Sequence, residues 1–447
     1  MSRRTFLGWS AMLLAAKVAC GKENETMGQG NGKSALVVGA GVAGLSAAIE
    51  LVKAGWQVKI LEASSRSGGR IWTDRSLGIP VDMGAAWLHG AGGGNPLVEL
   101  FQKAGLGHFV SDSDNLALFQ KGEEISDALY ETLDEAYEEW MEEARSMKRR
   151  AKKGESMQSV LDEIPETGFV KKGLRWYFAS DVEIELAADA EELSLKYWDE
   201  DEAFGGEEWI PRKGYGTLID YLAQGLDIEF NAAVSSVAKT ARGVLLRAGE
   251  KKYEADIAII TTSVGVLQSE TIKFEHGLTD ARRSALQRMK MGTMMKTVLE
   301  FPDSFWPEVH RMGLPAGGDP ILEFWNLEPV HGKPVLVALC AGREARRLEK
   351  VSDRELQSVV MEHIRGMFGK TPEPRRMLRT RWHSSPLTRG AYSMIAAGSS
   401  LDDHAALGKA DDDRIFFAGE ACSEQYTSTV HGAILSGRQA ARAARKA

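Results

Sequence analysis

"VVGAGVAGLSAAIELVKAGWQVKILEA", Val37 to Ala63, reads as a strand, a glycine turn, a helix and a second strand ending in an acid. Gly39, Gly41 and Gly44 follow the apolar run Ala35–Val38 with G-x-G-x-x-G spacing. The first glycine makes the tight turn, and the second lets backbone approach a pyrophosphate. The third lets the helix that begins near Val42 lie close to the strand, with its positive N-terminal end toward the phosphates. Glu62 closes the second strand 18 residues after Gly44, where a carboxylate accepts hydrogen bonds from a ribose hydroxyl. Ala43, in the first turn of the helix, and Ala63, after the acid, complete the expected contacts. The unit predicts a bound dinucleotide, NAD or FAD.

Two further stretches select between them. "SSRSGGRIWT" places Gly68, Gly69 and Arg70 just beyond Glu62, and "RIFFAGEACSEQYTSTVHGAILSGRQAA" runs from Arg414 to Ala441. Here the chain resembles the FAD-dependent amine oxidase family, most nearly its polyamine oxidases. In that family a Gly-Gly-Arg segment continues the cofactor site: the glycines allow close backbone approach, and the arginine compensates phosphate charge. The C-terminal stretch resembles the family's closing flavin motif, a strand ending in Gly419-Glu420, a loop, and a helix that starts at Thr429 and Val430 facing the flavin ring. The unsatisfied N–H groups of a helix start suit negative charge on that ring. Two motifs in the right order, some 350 residues apart, select FAD.

The resemblance covers about residues 34–445. It implies an α/β fold: a Rossmann-like, glutathione-reductase-like FAD-binding domain built from discontinuous segments, with an inserted α+β substrate domain. Segments 34–90, 210–297 and 385–447 are expected in the FAD-binding domain, and 91–209 with 298–384 in the substrate domain. In the middle segment, "LDIEFNAAVSSV" and "ADIAIITTS" read as strands from their branched apolar runs, and Val237 is placed among the cofactor contacts. Ile125, Leu129, Leu133, Tyr137, Trp140 and Ala144 recur at helical spacing. "KTVLEF" and "PVLVALCAG" read as strands, with a helix near 353–367.

The remaining candidate residues come with the resemblance. "VDMGAAWLHG" is similar to the family's flavin-lining segment: Gly84, Ala85 and Ala86 are small, as backbone against a ring plane requires, and Trp87 packs beside it. His89 matches a histidine of animal-type polyamine oxidases, where a neutral imidazole can orient a substrate nitrogen; a purely structural histidine is the other reading. Lys296, in "MGTMMKTVLEFPDSFW", falls at the family's flavin lysine, which in relatives holds a water at flavin N5. Tyr392, in "RGAYS", matches one wall of the aromatic sandwich over the flavin. The opposite wall, a tyrosine in monoamine oxidases and plant polyamine oxidases, is Thr429 here, as in animal-type polyamine oxidases and the flavin-dependent histone demethylases, so the cage is half open and a long linear amine is favoured. Ala391 stands where monoamine oxidases carry the cysteine that attaches FAD, so the flavin is expected to be non-covalent. Trp382 packs against the cofactor or within the core. Ser263 and Cys422 depart from the family's usual proline and threonine.

Composition narrows the function further. A net charge of −8 argues against nucleic acid and suits a cationic substrate. Asp181 to Glu208 holds twelve acids and one base, Lys196, either a solvated acidic surface or a funnel steering polyamine cations inward. No arginine lies in "GAAWLHG", where L-amino-acid oxidases hold the substrate carboxylate. Three cysteines and nine histidines show no metal-site spacing. Ser2-Arg3-Arg4-Thr5-Phe6-Leu7 is close to a twin-arginine export signal, with a short apolar stretch after it and Val18-Ala19-Cys20 as a lipoprotein-type site. Residues 1–33 are therefore expected to be a signal and linker, and the protein periplasmic or anchored by a lipid at Cys20. The expected activity takes a hydride from the α-carbon of an amine, giving an imine or aldehyde and hydrogen peroxide with O2. Alternatives are a monoamine or L-amino-acid oxidase of the same superfamily, or a non-catalytic flavoprotein scaffold.

Overall fold

The computed structural model describes residues 32–447 except Glu166, Asp201 and Asp411. The twin-arginine stretch and Cys20 lie outside the described residues. Five parallel strands form the dinucleotide sheet, in the order Ile415–Phe417, Ile257–Ile260, Ser34–Val38, Gln57–Leu61, Asp227–Glu229. Ser34–Val38 sits at its centre and is buried from Ala35 onward, which explains a near-continuous apolar run rather than an alternating one. The sheet thus draws strands from all three expected FAD-domain segments.

The helix Val42–Lys53 packs on the C-terminal helix Val430–Ala444, through a contact that only glycine permits. A Cβ on Gly437 would lie 2.2 Å from the carbonyl oxygen of Ala43. Both helices follow strands of the same parallel sheet, which puts both helix starts at its C-terminal end. Beside it lies a four-stranded sheet, ordered Lys251–Ala255, Val244–Ala248, Val234–Lys239, Lys273–Phe274. "LDIEFNAAVSSV" therefore splits between two sheets.

The substrate-side layer is a seven-stranded mixed sheet, ordered Arg376–Arg379, Met294–Glu300, Val335–Ala341, Glu323–Asn326, Arg311–Gly313, Leu116–Gln120, Glu123–Glu124. Met294–Glu300 runs through position 297, where the sequence reading places a domain boundary. Asp127–Arg150 is a 24-residue helix capped by Ser126, burying Tyr130, Leu133, Tyr137, Trp140, Met141 and Ala144; Asp353–Phe368 is the second long helix on this side. Ser263 fills the family's proline position by capping Val264–Gln268: its Oγ accepts from Val266 N at 3.2 Å and donates to Thr388 O at 2.6 Å. Among the described residues no helix is long and apolar enough to cross a membrane, and no three metal-ligating side chains converge.

Candidate active site

The glycine loop has the shape a pyrophosphate needs. Gly39 has φ +104°, and a Cβ there would lie 2.7 Å from Thr261 Oγ1. A Cβ on Gly44 would lie 2.0 Å from Gly39 O, whereas one on Gly41 would meet no protein atom within 4 Å. Gly41 therefore faces open space, as does Gly419. No side chain caps Val42–Lys53, so its first N–H groups remain available to an anion. Gly68 N donates to Ala40 O at 2.8 Å, laying the Gly-Gly-Arg turn on the loop, and a Cβ on Gly69 would touch Gly41 Cα at 3.5 Å. Glu62 is buried; its carboxylate accepts from Ala40 N at 2.7 Å and Ser64 N at 2.8 Å, leaving lone pairs for a ribose hydroxyl. These residues fit a dinucleotide.

Arg70 has a protein partner that the sequence does not announce. Its Nη1 lies 2.6 Å from Glu420 Oε1 and also donates to Ala391 O at 3.2 Å, so the guanidinium charge is already partnered within the protein. Glu420 is likewise satisfied internally, accepting from Ser393 N and Ser428 N as well. Burial pushes its carboxyl up, but Arg70 and the Ser393 hydroxyl outweigh burial and hold it below the ordinary value. The pair clasps the two cofactor motifs together. Val237 is 1% exposed in the core of the four-stranded sheet, which leaves its side chain no open face.

The flavin-lining segment is held from behind. Lys296 is 6% exposed, and its Nζ donates to Asp82 O at 3.0 Å and Gly84 O at 2.7 Å. An ammonium has three N–H donors, so one is left over beside Gly84, Ala85 and Ala86. Trp87 covers the same group, its ring centroid 5.2 Å from Nζ. Burial lowers the lysine, opposed by the Asp82 charge. Burial raises Asp82, opposed by hydrogen bonds from Thr73 and Tyr215 N and by the Lys296 charge. Asp82 stands within the quoted segment, yet nothing in its sequence pattern marks it. Gly84 has no room for a side chain, since a Cβ would lie 1.8 Å from Arg70 O. Trp382 Nε1 donates to Met83 O at 3.1 Å, and its ring meets Trp72 edge-on at 6.3 Å, so this tryptophan braces the same segment.

Tyr392 O–H donates to Glu185 O at 2.8 Å, just past the π-helical turn Ala179–Ile184. Burial, then the Glu185 and Glu420 carboxylates, push its phenol well up, so it stays neutral. Thr429 is the N-cap of Val430–Ala444: its Oγ1 accepts from Gly432 N and donates to Tyr426 O, both at 2.9 Å. Near this helix start Phe204 stacks on Tyr426, with centroids 4.7 Å apart and planes 11° apart, and His431 meets both edge-on. This aromatic cluster was not legible from the motif.

His89 stands beside a carboxylate that favours its charged form. Its Nδ1 lies 2.6 Å from Glu208 Oε2. Half of the side chain is exposed; desolvation at the ring works against charge, but the Glu208 and Glu185 carboxylates prevail and push it up to about 9. The acidic run is also largely spoken for. Asp181 pairs with Arg311, Glu183 with Arg175, Asp189 and Glu192 with Arg346, Glu191 with Arg343, and Asp199 and Glu200 with Lys148. These five cations, with Lys196, offset about half of the run's twelve negative charges, so the paired acids hold the insertion to its neighbours and the rest leave a weaker field for steering.

A family model described as "Flavin containing amine oxidoreductase" matches residues 42–445. Polyamine oxidase 4 of Oryza sativa subsp. japonica is 36% identical over 92% of this chain and 88% of its own. Probable polyamine oxidase 4 of Arabidopsis thaliana is 35% identical over 90% and 85%. Among solved structures, a putrescine oxidase double mutant superposes with TM-score 0.76 at 20% identity, over 93% of this chain and 99% of its own. Cyclohexylamine oxidase from Brevibacterium oxydans IH-35A superposes at 0.74 and 21%, with the same coverage. With a dinucleotide cradle, a buried lysine behind the lining segment and these relatives, the chain belongs to the flavin-containing amine oxidoreductases and is a flavin-dependent oxidoreductase acting on amines.

Proposed function

We propose that the substrate is a polyamine, oxidised with O2 as acceptor to give hydrogen peroxide. The observation that carries this reading is Thr429: the position to which the resemblance assigns the second wall holds a small residue, and its hydroxyl is spent on capping a helix. One aromatic wall with an open opposite side admits a long flexible chain and grips a compact arylalkyl amine less well. The named polyamine oxidases among the relatives support the same choice. Flavin, when bound there, would supply the redox chemistry: acceptance of a hydride from the amine's α-carbon and reoxidation by O2. The chain's residues do the rest: Tyr392 walls the cavity, Lys296 holds the carbonyls of Asp82 and Gly84 in place, and Gly84, Ala85 and Ala86 keep the backbone flat. Peroxide release across spermine, spermidine, their acetylated forms, putrescine, tyramine and L-amino acids tests the reading. A polyamine is expected to give the highest kcat/KM; tyramine or an amino acid giving it contradicts the proposal.

We also propose export through the twin-arginine pathway, from Arg3-Arg4 and the apolar stretch after them. Such transport accepts folded, cofactor-loaded protein, which suits a chain whose flavin site closes only when both ends meet. Replacing both arginines by lysine is expected to leave flavin-loaded protein in the cytoplasm, and unchanged export contradicts it.

A further inference from the structure

Leu88 and Trp209 form an isolated antiparallel bridge, closed by Leu88 N to Trp209 O at 2.8 Å and Trp209 N to Leu88 O at 3.0 Å. Antiparallel register sets the next residue on one strand opposite the preceding one on the other, so His89 falls beside Glu208. Backbone holds that register on both sides. Ala91 N donates to Glu207 O at 2.8 Å. Cβ atoms on Gly90 and Gly92 would lie 1.9 and 2.1 Å from the carbonyl oxygens of Phe204 and Gly205.

Glu208 is held at one oxygen by a hydrogen bond, Oε1 accepting from Gly90 N at 3.0 Å, while Oε2 lies at ion-pair distance from His89 Nδ1, 2.6 Å away. The ring is thereby committed at one nitrogen while half of its side chain stays open, at 50% exposure. Nε2 is the nitrogen left for a ligand, five residues beyond Gly84 in the flavin-lining segment.

We propose that Glu208 is a positioning residue for amine binding: it clamps His89 through Nδ1, so that Nε2–H is presented as a donor to the neutral nitrogen of the substrate. The groups facing the ring come from three elements. Glu208 lies at the start of Glu208–Pro211, Glu185 follows the π-helical turn, and His431 opens the C-terminal helix. The two carboxylates favour a charged ring. His431 is itself held neutral, pushed down to about 4 by burial and by the charge on His89. A charged donor at this point accepts a lone pair and repels an ammonium. It therefore selects the neutral amine, the form whose α-carbon gives up a hydride. The inference rests on the cavity taking an amine, not on which amine.

Histidine-labelled, flavin-loaded protein, with the His89 signal assigned by its loss in His89→Gln, reads the ring directly by NMR. The wild-type ring is expected to titrate near 9, and in Glu208→Gln to fall toward the ordinary 6.5. The pH profile of kcat/KM is expected to move with it. At neutral pH kcat/KM is expected to fall about 10- to 100-fold, the worth of one charge-assisted hydrogen bond, with kcat changed less. Glu208→Asp is expected to restore much of both. A wild-type ring titrating near 6.5, or a titration and pH profile unmoved by Glu208→Gln, overturns the inference. An enzyme inert to every amine overturns the amine reading instead, whatever the ring does.

Discussion

Arg70 and Glu420 stand 350 positions apart in the chain, and Nη1 of the one lies 2.6 Å from Oε1 of the other. One residue belongs to the N-terminal cofactor motif and the other to the C-terminal one, so the ion pair joins the two halves of the flavin site. Removing one partner of a buried pair leaves an uncompensated charge, which costs about 3–5 kcal/mol. Arg70→Ala is expected to lose stability on that order, together with much of its bound flavin. Because Arg70 holds the Glu420 carboxyl below its ordinary 4.5, its contribution is present above that pH and is lost as pH falls through the folded value. The difference in Tm between wild type and variant is therefore expected to shrink on acidification below about 4.5. A difference that is constant with pH contradicts this account of the pair.

Lys296 holds two carbonyls and keeps a third donor. Lys296→Met is expected to bind flavin still, since both cofactor motifs are intact, and to lose about 10²–10⁴-fold in one half-reaction, the scale of a positioned catalytic group. Stopped-flow separates the halves: anaerobic amine follows flavin bleaching, and oxygen follows its return. Flavin-loaded variant with both rates at wild-type level contradicts a catalytic role and leaves the lysine a brace for Asp82 and Gly84.

Much of this was legible in the sequence because glycine leaves a readable trace. Gly39, Gly41, Gly44 and Gly84 sit where a side chain would collide or where open space is required, and that demand fixes residue type as well as spacing. The parallel sheet was legible in the apolar runs of Ser34–Val38 and Ile257–Ile260, buried as they are. Charged residues carry no such signature. The acidic run read either as a solvated surface or as a funnel because Arg175, Arg311, Arg343 and Arg346, which pair with part of it, lie outside it. Glu208 was hidden in the same run, since only the Leu88–Trp209 bridge reveals which acid faces His89. The Arg70–Glu420 pair was hidden for the same reason: the partners are remote in sequence.

Ala391 has no thiol to bond a flavin, and its backbone is engaged through Arg70 Nη1 to its carbonyl and its own N–H to Gly292 O. Acid or heat precipitation is expected to release the yellow cofactor into the supernatant with the mass of FAD. Flavin retained on the pellet through a peptide linkage contradicts it.

Thr429→Tyr is expected to close the open side of the cage. The ratio of kcat/KM for tyramine to that for spermine is expected to rise about tenfold or more, the scale on which pocket shape discriminates substrates. Losing the N-cap costs about 1 kcal/mol, so a modest fall in Tm accompanies the shift. An unchanged ratio in folded, flavin-loaded variant means Thr429 does not face the amine.

The most direct measurement is anaerobic mixing of the flavin-loaded protein with single amines while flavin absorbance is followed, because it reports amine oxidation with the flavin as the sole electron acceptor. Spermine or spermidine is expected to bleach the flavin fastest, with tyramine and L-amino acids slower by about tenfold or more. Bleaching led by tyramine or an amino acid, or none with any amine, contradicts the polyamine oxidase account.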